Sequence, residues 1–391
     1  MKKTIAMFLL LSCLLSCVSC SKWDASQAET GTGTGAVSET ESETTTPKQE
    51  EPNVLEEKKY PIKDCLNYLK VHGRTEQVSD GITCDFTAAG IEFSAYVQGK
   101  VILEVRVESQ GVESAKNDDI YFTAFVDGVR SETRFKASRG TTTRLEIASF
   151  EEAGEHTIRI LKQSESKNGL CTLKSLTFKG TFLEAPKAAD YYIEFIGDSI
   201  TSGYGNLCTN GTANPEKTIY KDGTQAFAFL TAQSLGTDFS MISCSGVGVA
   251  AGWRTMLAKE LFSAQSYYRS KTTAYTPTRT PDLVVINLGT NDQSKGVSAE
   301  SFRTEARALI NLVRSTYGEN VKIVWAYGMM ADGFSAQIKS LIAEMGGAEN
   351  GLYTVELVRD NSGGASHPIA KMHNTASKQL VRFINNNHLL G

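Results

Sequence analysis

A chain of 391 residues, 41% hydrophobic and 21% charged, has the balance of a globular protein and room for two domains. Its 40 basic and 44 acidic side chains leave a formal net charge of −4. Without a broad positive field there is no electrostatic footprint for nucleic acid, and that class of partner is not expected.

The chain opens with Lys2 and Lys3, an apolar run over 5–15, and small residues around Cys17 and Cys20. A basic start before a short apolar core reads as an export signal, too short to span a bilayer comfortably. Leu14-Leu15-Ser16-Cys17 looks like the lipobox of bacterial lipoproteins, where the cysteine receives lipid after cleavage. Val18-Ser19-Cys20 is a second such site, and a plain secretory cut near Ser19 is the alternative. Residues 1–20 are therefore expected to be a signal, and membrane contact is expected only through that lipid anchor. Residues 21–59, mainly Ser, Thr, Glu and Gly, cannot repay their ordering entropy by burial and are expected to be a disordered tether.

Residues 60–184 predict a β domain. Strands are expected at 90–96, 101–107, 120–127, 143–149, 156–162 and 171–177, where β-branched and aromatic residues often alternate with polar ones. Asp127-Gly128 fits a tight hairpin turn, and Gly154 reads as the start of a strand. The architecture implied is an antiparallel sandwich, with no catalytic cluster in it. Beyond Cys20, Cys65, Cys84, Cys171, Cys208 and Cys244 match no metal-ligand spacing. Two readings stay open: Cys65 or Cys84 bridges Cys171, or all are separate buried thiols.

From 185 to 391 the pattern changes. Apolar strands at 191–196, 239–244, 283–288, 321–327 and 352–357 alternate with helical stretches near 225–235, 299–314, 336–345 and 369–386. This predicts an α/β/α domain with a mostly parallel, five-stranded sheet covered on both faces. Functional loops in such a sheet lie beyond the carboxyl ends of its strands.

Three segments fall there: Gly197-Asp198-Ser199, Gly289-Thr290-Asn291-Asp292 and Ser366-His367-Pro368. Ser199, after a glycine that lets the chain turn, is either a nucleophile or a helix N-cap. A serine nucleophile needs a base within hydrogen-bond reach. Of the five histidines, His72 and His156 fall in the β domain and His388 at the C-terminus. His373 should face away from the start of the last helix or pack inside that helix. His367, directly before Pro368, is placed at the helix entrance on the loop side of the sheet. Asn291 is a candidate oxyanion donor, together with the Ser199 N–H and an amide of Ser245-Gly246-Val247-Gly248. Losing one such donor typically costs about 3–4 kcal/mol in the chemical step. The competing reading of Asn291 is an Asx-turn. Asp198 and Asp292 suit the holding of loop backbones better than paired-carboxylate glycoside hydrolysis.

Taken together these motifs resemble the signature of the SGNH, or GDSL-type, hydrolase superfamily over about 191–390. The resemblance implies Ser199 as nucleophile and His367 as base. It also implies an oxyanion hole of Ser199 N–H, Gly248 N–H and the Asn291 side chain, with Gly246 as the alternative to Gly248. The run from Phe195 to Asn206, with the preceding β domain, is similar to carbohydrate esterase family 2. That likeness implies an N-terminal jelly roll and removal of acetyl groups from xylan or mannan-type carbohydrate, with a preference for the sugar O6. The superfamily usually has an aspartate three residues before its histidine, where this chain has Gly364; Asp360 and Asp332 do not match that position. A Ser–His dyad with a backbone carbonyl orienting the imidazole is implied instead, because the third member mainly fixes tautomer and orientation. No cofactor or metal is expected. Trp253 and Tyr204 are the candidate sugar platform, while Trp325 reads as core. The competing functions are a lipase, a thioesterase or a cell-wall-glycan deacetylase on the same scaffold, or a non-catalytic glycan-binding surface lipoprotein.

Overall fold

Strict alternation of apolar and polar residues builds the N-terminal layer. In the computed structural model, which describes residues 55–108, 119–267 and 273–391, ten strands form one mostly antiparallel sheet. They are β1 (Glu57–Pro61), β2 (Lys70–His72), β3 (Thr75–Val78), β4 (Gly81–Cys84), β5 (Gly90–Val107), β6 (Ile120–Val126), β7 (Val129–Arg130), β8 (Phe135–Ala137), β9 (Thr142–Lys162) and β10 (Cys171–Phe182). The central order is β3-β4-β10-β5-β9-β6-β7. Ile91, Phe93, Ala95 and Val97 of β5 are fully buried on one face, as a period of two requires. The expected export signal and most of the tether lie outside the described residues. The chain joins the sheet at Glu57, slightly before the expected boundary at 60, by pairing with β10.

Two pairs of predicted strands are in fact single long strands, β5 and β9. Register shifts at Val97/Gly99 and Val101/Ile102 absorb the irregularity that reads as a break in the sequence. Gly154 lies inside β9, opposite Val97, instead of starting a strand. The Asp127-Gly128 hairpin forms as expected, with φ of 51° and 80°, the positive pair a type I′ turn requires. All five described cysteines are free thiols; Cys84 and Cys171 sit directly opposite one another, and the Cys171 thiol donates to the Cys84 carbonyl.

The second layer is a parallel sheet in the order β12-β11-β13-β14-β15. Its strands are β11 (Tyr192–Gly197), β12 (Asp238–Ser243), β13 (Leu283–Asn287), β14 (Lys322–Tyr327) and β15 (Leu352–Glu356). Alternate residues face opposite sides. Ile196, Ile242, Ile286 and Trp325 pack on one side, against α5 (Ala299–Tyr317) and α6 (Ser335–Glu344). Phe195, Met241, Val285 and Val324 pack on the other, against α2 (Phe227–Leu235) and α7 (Ala370–Asn386). Gly197 is in register with both Ser243 and Asn287, so three strands end level and release their loops along one edge.

The described residues form one compact unit. Phe86 of the β layer enters one core of the parallel sheet, and Ala88, Phe125 and Leu161 enter the other. Arg74 reaches the buried carboxylate of Glu194 at 3.3 Å, which also accepts from the Tyr317 hydroxyl at 2.8 Å. Removing one member of such a buried pair typically costs about 3–5 kcal/mol, because the other charge stays buried alone.

Candidate active site

The turn after β11 is built so that Ser199 is left free. A side chain at 197 would overlap Thr201, which explains the glycine. Asp198 is the N-cap of the short helix α1 (Ser199–Ser202), its carboxylate accepting from Ile200 N–H at 2.9 Å. The capping role open to Ser199 is therefore filled by its neighbour. Burial, together with Asp292 nearby, pushes the Asp198 carboxyl up to about 7. The Ser199 amide belongs to the first helical turn, whose N–H groups have no acceptor within the helix.

His367 Nε2 lies 2.8 Å from Ser199 Oγ. Its Nδ1 lies 3.1 Å from the carbonyls of both Gly364 and Ala365. A carbonyl can only accept, so Nδ1 carries the proton and the Nε2 lone pair faces the serine hydroxyl. Ala365 and Ser366 adopt φ of 50° and 60°, unfavourable for residues with a side chain, and this backbone turns the carbonyls toward the ring. Burial lowers the imidazole to about 4, against the two carbonyls that favour its charged form.

No acid stands where the superfamily usually has one, and the packing shows why. A Cβ on Gly364 would lie 2.6 Å from the Cys208 sulfur and 2.7 Å from Pro215. Asp360 is occupied elsewhere, accepting from Ile369 N–H at 2.9 Å and from the Ser362 hydroxyl. Asp332 pairs with Arg359.

The two glycines of the 245–248 loop separate. Gly246, with φ of 87°, lines the cavity over Ser199; Gly248 is not among the lining residues. A Cβ on Gly248 would strike the Ala251 carbonyl, in a loop whose amides at Val249, Ala250 and Ala251 converge on Asp292. Gly246 is therefore the candidate donor that the cavity favours over Gly248. Asn291 lines the same cavity, and its amide donates to Asp198 at 3.0 Å and to the Val247 carbonyl at 2.9 Å. It thus ties the serine turn to the glycine loop.

The cavity measures about 280 Å³. Tyr204 forms one wall, its ring 4.5 Å from that of His367. Trp253 stands at the edge, 65% exposed, with its indole N–H on Ser294 and the Lys295 ammonium 3.3 Å from its ring centroid. Trp325 is in the core, donating to the Leu288 carbonyl. His373 packs inside α7 and accepts from Phe227 N–H through Nδ1, while His72 and His156 pair with Glu92 and Asp127. The sequence offered no sign of Lys167, Arg254 or Met330, which also line the cavity. Lys167 comes from the β layer, about thirty residues before Ser199, and only the packing of the layers brings it there.

Residues 71–186 match the Carbohydrate esterase 2 N-terminal family, and residues 195–373 match the GDSL-like Lipase/Acylhydrolase family. The chain is 27% identical over 361 residues to Cellulase/esterase CelE of Acetivibrio thermocellus, covering 87% of this chain and 40% of that protein. It is 26% identical over 236 residues to an acetylxylan esterase / glucomannan deacetylase of Cellvibrio japonicus, covering 59% of this chain and 63% of that protein. The alignments thus span less than two thirds of either relative. Among solved structures, a family two carbohydrate esterase from Clostridium thermocellum in complex with cellohexaose has a TM-score of 0.73 at 25% identity, over 82% of this chain and all of that one. The fold is shared with the acetyl xylan esterase Est2A from the rumen bacterium Butyrivibrio proteoclasticus, at a TM-score of 0.74 and 18% identity over 86% and 99% of the two chains. The chain is an SGNH/GDSL-type hydrolase that carries the N-terminal jelly-roll domain of carbohydrate esterase family 2.

Proposed function

We propose that this protein is a serine esterase that removes O-acetyl groups from plant polysaccharides or oligosaccharides of the xylan or mannan type. The observation that carries the reading is the 2.8 Å contact between His367 Nε2 and Ser199 Oγ, with Nδ1 held by two carbonyls. Ser199 Oγ attacks the ester carbonyl as His367 takes its proton. The amides of Ser199 and Gly246 receive the oxyanion, and Asn291 joins them by sharing a hydrogen it now gives to Val247 or Asp198. His367 then protonates the departing sugar oxygen, and a water activated by the same nitrogen hydrolyses the acyl-enzyme. The two carbonyls stabilise the imidazolium without taking the proton, the part an acid plays in a triad.

A cavity of about 280 Å³ suits a short acyl group. The Trp253 face not covered by Lys295 is the platform for a pyranose ring, with Tyr204 lining the acyl side. The names of the Cellvibrio relatives, acetylxylan esterase / glucomannan deacetylase, favour the same substrate class. The basic and apolar start of the chain favours export with a lipidated Cys17 or Cys20, which mass spectrometry of the mature N-terminus would decide.

The test is acetate release from acetylated xylan, acetylated glucomannan and long-chain esters, with Ser199→Ala alongside. Release from the acetylated glycans, absent in Ser199→Ala, is the expected result. Full turnover by Ser199→Ala would remove the nucleophile from the reading; preference for long acyl chains would replace the substrate class.

A further inference from the structure

The loop between β9 and β10 is not a surface loop. Residues 163–168 are all buried, although connections of this kind normally run over the surface. At their centre the Glu165 carboxylate, fully buried, accepts from Ser245 N–H at 2.7 Å and from the Lys221 ammonium at 2.8 Å, with Lys167 at 3.6 Å. Lys221 is itself fully buried and also donates to Asn168 at 3.0 Å. The neighbouring Ser166 hydroxyl donates to the carbonyl of Ser243, the last residue of β12.

This cluster touches both halves of the candidate site. Ser245 precedes Gly246, which lines the cavity over Ser199. The Lys221 and Lys167 ammonium groups stand 4.5 and 5.0 Å from the centroid of the Tyr204 ring, the ring that backs His367. A buried carboxylate is costly unless paired and hydrogen-bonded, and both conditions are met by groups of the catalytic layer.

We propose that Glu165, supplied by the β layer, is a positioning residue of the Ser199–His367 site. It fixes the oxyanion loop through Ser245 and is the counter-ion that allows two lysines to sit behind Tyr204. The jelly roll is then part of the catalytic apparatus as well as a neighbouring module. This inference rests on the proposed ester hydrolysis at that pair.

The electrostatics have a definite sign. The ionisable groups around His367 include Glu165, Lys221 and His373, with Tyr204 against its ring and Lys167 beyond that ring. Glu165 favours the imidazolium and Lys221 opposes it. Burial alone would raise the Glu165 carboxyl, but the two lysines and the Ser245 amide hold it well below the usual carboxylate range.

The test uses the full chain with Glu165→Gln, Lys221→Met and both together. Three readouts are needed: kcat and KM for an acetyl ester, the His367 titration by NMR, and thermal melting. Glu165→Gln is expected to lower kcat about 10–100-fold with KM within about threefold, as a displaced oxyanion loop would. The His367 midpoint should fall in Glu165→Gln and rise in Lys221→Met, by about half a pH unit each. General loosening would move both variants upward, toward free imidazole. If Glu165→Gln does not fold, the double variant removes the fully buried Lys221 cation and leaves only Lys167, which borders the cavity; it should keep the low kcat, because Ser245 N–H then meets only a neutral acceptor. Unchanged His367 midpoints, or a double variant with wild-type kcat, would overturn the proposal. Absence of wild-type acetate release strikes the esterase reading instead, since the NMR titration needs no substrate and still decides the role of Glu165.

Discussion

His367 and His373 lie six residues apart, and burial holds both neutral, lowering one imidazole to about 4 and the other to about 3. Yet they carry their proton on opposite nitrogens. His367 gives its Nδ1 proton to the carbonyls of Gly364 and Ala365, leaving Nε2 as a base 2.8 Å from Ser199 Oγ. His373 uses Nδ1 to accept from Phe227 N–H, so its proton is on Nε2, buried without a partner. One sits in an extended backbone before Pro368, at the loop edge of the sheet; the other is inside α7, facing α2. Burial alone therefore does not make a base. What distinguishes the two is whether the backbone meets Nδ1 with a carbonyl or with an N–H, and whether the other nitrogen faces a serine hydroxyl.

The contrast between the two rings can be broken most directly at its catalytic side. His367→Ala should lower kcat for an acetyl ester by at least about 10³-fold with the melting temperature nearly unchanged, since the group lost acts in the chemical step. A small effect on rate would sink the dyad. In the wild type, kcat/KM should fall about tenfold per pH unit below the His367 midpoint near 4, as the base is protonated. An acid limb centred near 6.5 would mean that the ring is not buried as described.

The same two rings bear on stability, with a sign that follows from their lowered values. The unfolded imidazoles take up protons below about 6.5, whereas the folded ones resist until about 4 and about 3. Stability is thus full above about pH 6.5 and drains away as pH falls through that window. For His367 this amounts to roughly 3 kcal/mol, readable from urea midpoints between pH 7 and 4.

Gly364→Asp, which restores the acid the superfamily usually carries, should cost about 1–3 kcal/mol through overlap with Cys208 and Pro215, and should lower activity. A faster enzyme of unchanged melting temperature would show that the pocket has room for a triad. His373→Leu leaves Phe227 N–H unpaired and should cost about 1–3 kcal/mol in chemical denaturation while leaving kcat within about threefold. If kcat collapsed in a folded protein, the two histidines would not be separable. Asp360→Asn, whose partners are Ile369 N–H and the Ser362 hydroxyl, should change the rate least, by less than about fivefold. A loss near 10³-fold without unfolding would make Asp360, and not the two carbonyls, the group that orients His367.

Much of the site was legible because its pieces are local solutions to one topological problem. A buried parallel strand followed by Gly197, or by Gly289, must turn out of the sheet at its carboxyl end, and Pro368 marks the start of α7. Alternating apolar residues likewise announced both layers, though not that β5 and β9 run unbroken through their bulges. Other features depend on what meets in space. Ser199 is not the cap because Asp198 takes that role; Gly246 lines the cavity, whereas Gly248 packs against Ala251 and Asp292. The proposed dyad rests on a backbone turn at Ala365 and Ser366 that no side chain encodes by type. Glu165 shows the limit most clearly, since its partners Lys221 and Ser245 lie 56 and 80 residues away. Sequence periodicity records which face of an element is buried. It carries no record of which buried charge will meet which amide once two layers close on each other.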